Sequence, residues 1–255
     1  MVFQGLILFN TLKQDILNDD TLNIKGVQIP NFFKRNELQF EFCHQFIELY
    51  QDFVLQTNGN FSYEKENFYI SKDDVVFDCG ANMGLFAAYA ATKGAIVHCF
   101  EPCTSTQQLL EETQKLYPNQ IFIHPYAISN ICGETEFCKT DNIGANHLSK
   151  YPVNPGNGIL SKERVQTITL DEFVKQTGII PTFIKMDVEG AELDAMQGAL
   201  QTLKQYAPKC VVGAYHTYDM PNKIKMLIRN TLSGWEIVQK QDNLFLDKNS
   251  NEKKV

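Results

Sequence analysis

The spacing of apolar residues changes character near residue 70. Over residues 36 to 55, NELQFEFCHQFIELYQDFVL, the side chains of Phe42, Cys43, Phe46, Ile47, Tyr50, Phe53 and Val54 recur at three- and four-residue intervals. That spacing predicts a helix with one buried face. Beyond residue 75, short apolar runs alternate with helical periods: a strand over 75–78, a helix over about 85–93, a strand over 95–100, a helix over about 104–116 and a strand over 120–124. The strand-like VQTITL follows, then TFIKMDV, which closes on an acid, then GAELDAMQGALQTLKQY with Leu193, Met196, Leu200 and Leu203 along one helical face. KCVVGAYH adds a strand, PNKIKMLIRNTL a helix, and WEIVQK with NLFLDK a hairpin turning at Asp242-Asn243 that closes the sheet. Thr104 with Gln107, and Thr169 with Glu172, have the spacing of capping boxes at the starts of two of these helices.

Strand, short connection, helix, strand, repeated in this way, predicts an α/β fold: a Rossmann-like parallel sheet with helices on both faces. The change near residue 70 divides the chain into an N-terminal helical cap, 1–70, and a main domain, 71–255. Residues 140–163, TDNIGANHLSKYPVNPGNGILSKE, are rich in Asn, Gly and Pro and read as a long loop, of the kind that often carries function. The first residues, MVFQGLILFNTLK, have no basic residue before the apolar run and no small-residue cleavage site after it, so they read as a packing helix or strand.

Composition narrows the class. A chain of 255 residues that is 44% hydrophobic and 21% charged can bury a full core, which excludes disordered and fibrous classes. A net charge of -7 disfavours nucleic acid and anionic membranes as partners. No stretch approaches 18 apolar residues, so no membrane span is expected. Seven scattered cysteines without a CxxC pair give no zinc or redox motif and point to reducing cytosol, hence a cytoplasmic protein.

The candidate chemistry begins at VVFDCGANMG, residues 75–84. The strand ends at Asp78, and Gly80 and Gly84 mark a turn before a helix N-terminus, where backbone approaches a ligand in open α/β sheets. The spacing is not the GxGxxG of a pyrophosphate site, and a bare strand-to-helix turn is the plain alternative. Glu101 lies 21 residues beyond Gly80, at the end of AIVHCF, close to the roughly 20 that places an acid on a ribose diol. A solvated carboxylate is its alternative role. Taken together, turn and acid indicate a nucleoside-containing ligand.

VVFDCGANMGLFAAYAA, CFEP, AIS with GETEF, ITLDEF and FIKMDVEGAELDAMQGA stand in the order and spacing of the FkbM family of S-adenosylmethionine-dependent methyltransferases, which the chain resembles over residues 62 to 247. The resemblance implies the seven-stranded class I methyltransferase sheet, with S-adenosylmethionine as cofactor. It also implies that Asp78, Gly80, Ala81, Asn82, Gly84, Glu101 and Ala127 surround that cofactor. S-adenosylmethionine has no phosphate, so a nest of amides is unnecessary, and Asn82 offers both donor and acceptor to an amino-acid tail. Carboxylates such as Asp78 or Asp187 favour a cationic sulfonium.

Methyl transfer needs its nucleophile held about 3 Å from the methyl carbon and in line. A hydroxyl nucleophile also gains from a general base. Candidates are Asp187, which closes its strand, Glu189, which opens the following helix, and His216, which ends KCVVGAYH. Glu189 and Glu192 have a simpler role available, as acids complementing the helix dipole. For His216 the plain alternative is a ring satisfied by loop backbone. Many family members carry an acid two residues before this histidine where this chain has Ala214, which weakens a transferred acid–histidine pairing and any claim of a metal bound there, so no metal ligand is assigned. His147 in the long loop is expected to be solvated; His44, His98 and His124 receive no role.

The expected activity is methylation of a hydroxyl oxygen on a small molecule, sugar or natural-product intermediate. Nitrogen acceptors, including peptide side-chain amides, and a non-catalytic cofactor-binding module remain open alternatives, whereas the glycine spacing disfavours a nicotinamide oxidoreductase.

Overall fold

Val75–Cys79 carries only apolar residues and one acid, and all but its first residue are buried, as befits the centre of a sheet. In the computed structural model, which describes residues 19–24, 26–35, 63–151 and 157–248, this strand is β3. Among the described residues two strands precede it, β1 (Thr21–Ile24) and β2 (Val27–Pro30). The chain continues through α1 (Leu85–Thr92), β4 (Ile96–Phe100), α2 (Thr104–Leu116) and β5 (Ile121–His124). A second sheet then forms from β6 (Tyr126–Ile128), β7 (Gly133–Thr140), β8 (His147–Leu148) and β9 (Ile159–Ile168). The rest comprises α3 (Leu170–Thr177), β10 (Phe183–Met186), α4 (Glu192–Gln197), α5 (Leu200–Tyr206), β11 (Lys209–Gly213), α6 (Met220–Thr231), β12 (Trp235–Lys240) and β13 (Asn243–Lys248).

The main sheet has seven strands in the order β12-β13-β11-β10-β3-β4-β5. Strands β5, β4, β3, β10 and β11 run parallel, and β13 and β12 join antiparallel, so the expected seven-stranded sheet and its closing hairpin are both present. The chain runs outward from β3 through β4 to β5, then crosses back to β10 on the other side of β3. Such a reversal of direction opens a crevice at the carboxyl ends of the strands. Pairing places Asp78 beside Lys185 and Cys79 beside Met186 at that end.

Apolar side chains fill both faces of the sheet. One core gathers Val76, Val97 and Phe183 with α1, with Leu22, Ile24, Val27 and Ile29 of the β1–β2 hairpin, and with Phe32 of the 3₁₀ turn that follows it. The other gathers Phe77, Phe100, Ile184 and Val212 with side chains of α3, α4, α5 and α6. The hairpin is also tied down by the Tyr117 hydroxyl, which donates to the Gln28 carbonyl and accepts from its N–H. The described part of residues 1–70 is therefore strand and 3₁₀ turn sharing the main core. The helix expected over 36–55 and the segment MVFQGLILFNTLK lie outside the described residues.

Several local expectations are corrected. Strands enter the expected loop over 140–163: β7 ends at Thr140, β8 pairs with it at His147–Leu148, and β9 begins at Ile159 and pairs antiparallel with β7 and parallel with β6. Thr104 does not cap α2; Cys103 occupies the cap position, and its N–H donates to Glu101 instead. Thr169 caps α3 as expected, accepting from the Glu172 N–H at 3.0 Å. The helix expected over GAELDAMQGALQTLKQY is two helices, and the Asp171 carboxylate accepts the Gln201 and Thr202 N–H groups at the start of the second. The hairpin turns at Gln241-Asp242, one residue earlier than expected, with Asn243 paired inside β13. The six described cysteines are free thiols, and no helix among the described residues is long and apolar enough to cross a membrane.

His98 and His124 stand on adjacent strands β4 and β5. Their rings face each other with Nδ1 of His98 2.9 Å from Nε2 of His124, among Phe77, Phe100, Phe122 and Phe173. Burial lowers the pKa of both; His124 falls to about 4, with the charge of His98 a further cause. The unfolded chain, titrating near 6.5, then binds more protons than the folded chain between about pH 6.5 and 4, so this pair costs stability as pH falls through that window. Melting curves at pH 7 and pH 5 should show a smaller acid-induced drop for His124→Gln than for the parent. Equal drops would remove the pair from the acid response.

Candidate active site

Where β3 ends, the chain turns through Gly80, Ala81 and Asn82 before α1 begins after Gly84. The Gly80 and Ala81 N–H groups both donate to the Phe100 carbonyl at the end of β4, at 3.0 and 3.2 Å, which fixes the turn against its neighbour strand. Glu101 follows β4 and is buried; one carboxylate oxygen accepts the Asn82 N–H at 3.0 Å and the other the Cys103 N–H at 2.9 Å. Burial pushes this carboxyl up to about 7 despite those two donors.

Asp78 is fully buried beneath the turn, with the Lys185 ammonium 3.1 Å from its Oδ1; that ammonium also donates to the Gly80 carbonyl at 2.8 Å. Burial raises the Asp78 carboxyl, and Lys185 opposes the shift. The contact is ionic and off the hydrogen-bond line, so neither Asp78 oxygen has an aligned donor among the described residues, nor has the buried Oδ1 of Asn82. Buried acceptors normally have donors, so this turn fits a ligand that supplies ammonium or hydroxyl hydrogens. Ala81 is buried in the turn, and Ala127 packs with Cys103 and Ala191 in a small apolar cluster.

Across the crevice, Asp187 follows β10, and its N–H donates to the Cys79 carbonyl at 3.0 Å, joining the ends of the two central strands. Its carboxylate accepts from the Tyr63 hydroxyl at 2.7 Å and from the Tyr215 hydroxyl at 3.1 Å. Burial works to raise the Asp187 pKa, but the charges of Lys185 and His216 and the two hydroxyls outweigh it and hold the group ionised. Glu189 does not open a helix; it lies in the connection at φ 51°, and α4 begins three residues later at Glu192. Burial pushes Glu189 up to about 7, against the opposing influence of His216.

His216 lies three residues past the end of β11 rather than on the strand, with a side chain only 3% exposed. Its Nδ1 is 2.9 Å from Oε1 of Glu192, and its Nε2 is 3.2 Å from Oε2 of Glu189 and 3.8 Å from Oδ1 of Asp187. Burial alone would lower its pKa, but the three carboxylates carry it up to about 11. Base catalysis at neutral pH requires a neutral ring. This setting favours the cation instead, so the sequence-based expectation of His216 as base is not what its surroundings support.

The three expected catalytic residues thus come together, and Asp78, Asn82 and Glu101 line the turn beside them. Sequence reasoning passed over Lys185, Tyr63, Tyr215 and Glu192. Glu192 stands inside KMDVEGAE, but its helix-start position disguised it as a dipole partner. In the structure it is wholly buried, and its Oε1 accepts the Val188 and Gly190 N–H groups. His147 is buried rather than solvated, with Nδ1 2.8 Å from the Ala145 carbonyl.

The family model described as "Methyltransferase FkbM domain" matches residues 78–232. The hexuronic acid methyltransferase AglP of Haloferax volcanii is 28% identical over 169 residues, which cover 66% of this chain and 66% of that relative. The crystal structure of methyltransferase FkbM from Methylobacillus flagellatus KT superposes with a TM-score of 0.55 at 21% identity, covering 72% of this chain and 46% of that one, a likeness of fold. The chain therefore spans just under two thirds of the first relative and about half of the second.

Proposed function

The chain belongs to the FkbM methyltransferase family, and on that premise we propose that it transfers a methyl group from S-adenosylmethionine to a hydroxyl oxygen of a sugar, with a uronic acid as the acceptor class. The observation that carries the reading is the donor-poor turn: Asn82 Oδ1 and both Asp78 oxygens are buried without aligned donors, beside a buried Glu101. S-adenosylmethionine brings a ribose diol, an ammonium and an electrophilic methyl on cationic sulfur, the donors and the charge that such a turn lacks.

Glu101 holds the ribose end and Asn82 and Asp78 the amino-acid end, with Lys185 opposing the protonation of Asp78 that burial favours. Asp187, pinned by two tyrosine hydroxyls, is a fixed negative charge facing the same crevice. Glu189, with a carboxyl near 7, has the proton affinity best suited to receive a hydroxyl proton at neutral pH. His216 positions Glu189 and Glu192 by charge. The relative named for hexuronic acid supports a sugar acceptor.

The test is incubation with methyl-labelled S-adenosylmethionine and oligosaccharides containing uronic acids, read by mass spectrometry. Label on a sugar hydroxyl is expected; label on nitrogen, or on none of the sugars, overturns the acceptor assignment. Calorimetry of the Glu101→Ala variant should show cofactor affinity reduced by about 1 to 3 kcal/mol, the scale for removing a buried hydrogen-bonding partner. Unchanged affinity would take the ribose away from Glu101.

A further inference from the structure

We infer that Asp187, Glu192 and His216 form a divalent-cation site at the carboxyl edge of the sheet. One ligand atom from each lies within 4.8 Å of the other two. Around an octahedral ion with bonds of about 2.1 to 2.2 Å, ligands stand about 3 Å apart in cis and about 4.4 Å apart in trans. The three side chains therefore need to close by well under a bond length to share an ion.

Proximity of acids alone would carry little, but the burial pattern adds an independent observation. Glu192 is 0% exposed, and its Oε2 has no hydrogen-bond partner among the described residues; the ring nitrogens of His216, 3% exposed, have carboxylate oxygens at 2.9 and 3.2 Å but off the hydrogen-bond line. A buried oxygen left open as Oε2 is costs stability unless something occupies the space it faces. Three carboxylates surround His216, and the nearby Lys185 is engaged with Asp78, so the pocket has an excess of negative charge, and a bound ion would take the place of the proton that the His216 ring otherwise carries.

The outer contacts are those of held metal ligands. Tyr63 and Tyr215 orient Asp187, and the Val188 and Gly190 N–H groups fix Oε1 of Glu192, leaving Oε2 open. Hydrogen bonds of this kind aim a ligand and tune its basicity. One imidazole with two carboxylates is a mixed nitrogen and oxygen set, which suits Mn²⁺ or Zn²⁺ better than Ca²⁺ or Mg²⁺. With Glu189 at its border, a bound ion would present open positions to two neighbouring oxygens of an acceptor, such as a vicinal diol or a hydroxyl next to a carboxylate. That role rests on the sugar-methylation reading; the site itself does not.

Electron paramagnetic resonance of the full chain, stripped with EDTA and desalted, provides the test. Added Mn²⁺ should lose its free-ion signal up to one ion per chain, and Zn²⁺ should displace it. Pulsed measurement of the bound Mn²⁺ should detect an imidazole nitrogen. Glu192→Gln and His216→Gln, checked for folding by circular dichroism, should each weaken binding about tenfold or more. Absence of one-per-chain binding, or bound Mn²⁺ without nitrogen coupling in the parent protein, overturns the site whether or not the variants fold. Calorimetry with S-adenosylmethionine in EDTA reports on the cofactor separately, so failure of one assignment is distinguishable from failure of the other.

Discussion

Gly80→Ala is expected to abolish cofactor binding and to lower the melting temperature by roughly 8 to 16 °C. A Cβ at this position would stand 1.8 Å from the Asp187 carbonyl oxygen and 2.9 Å from its carbonyl carbon, and both atoms are backbone. No rotamer change can relieve that overlap. The ends of β3 and β10 would have to separate, breaking the Asp187 N–H bond to Cys79 and the Lys185 bond to the Gly80 carbonyl. Gly80 also has φ +81°, which adds backbone strain for any other residue. Steric overlap of this kind belongs with the mutations that cost about 4 kcal/mol or more, and each kcal/mol shifts the melting temperature of a protein this size by about 2 to 4 °C.

Gly178, at the end of α3, separates strain from overlap. It has φ +71°, but a Cβ there would meet nothing within 4 Å, so Gly178→Ala should cost only about 1 to 2 kcal/mol and leave cofactor affinity intact. Differential scanning calorimetry and cofactor titration on both variants decide the matter. Equal behaviour of the two would mean that the close approach of β3 and β10 does not build the cofactor turn.

The parallel sheet and the glycine turn were legible because their information is local. A short apolar run ending on Asp78 or Asp187, followed by a helical period, signals strand, carboxyl end and turn in one stretch of chain. The second sheet offered such a signal only at VQTITL, where β9 ends. Its main pair joins residues 133–140 to 159–168, and both strands expose long polar stretches, so no continuous apolar run marks them. The Asn, Gly and Pro content of the segment between them signals a loop and obscures the strand that follows.

The site divides in the same way. Asp78, Asn82, Glu101, Asp187 and Glu189 stand at turns that the strand pattern already marks. Tyr63 reaches Asp187 from 124 positions away, and no spacing in the sequence connects them. The ordinary titration range of histidine suggests a base at His216, yet its state is set by Asp187, Glu189 and Glu192, which converge on it only after β10 and β11 pair. Charge environment is a property of that convergence and leaves no trace in one stretch of residues.

The same convergence singles out Glu189 for the second large effect: Glu189→Gln should slow methyl transfer by about 10² to 10⁴-fold while cofactor affinity changes little. Asp187 is held ionised and engaged by two tyrosine hydroxyls, which makes it a poor proton acceptor. Glu192 is closed off beneath the surface with one oxygen held by backbone donors. Glu189 alone of the three combines a carboxyl near 7 with a side chain 24% exposed, open to an arriving hydroxyl. Glutamine keeps its volume and removes its basicity, so the loss should fall on the chemical step. Single-turnover rates with labelled donor, measured beside calorimetric affinities, separate the two quantities. A rate within about threefold of the parent would move the proton to another acceptor, and a parallel loss of affinity would make Glu189 part of the cofactor site instead.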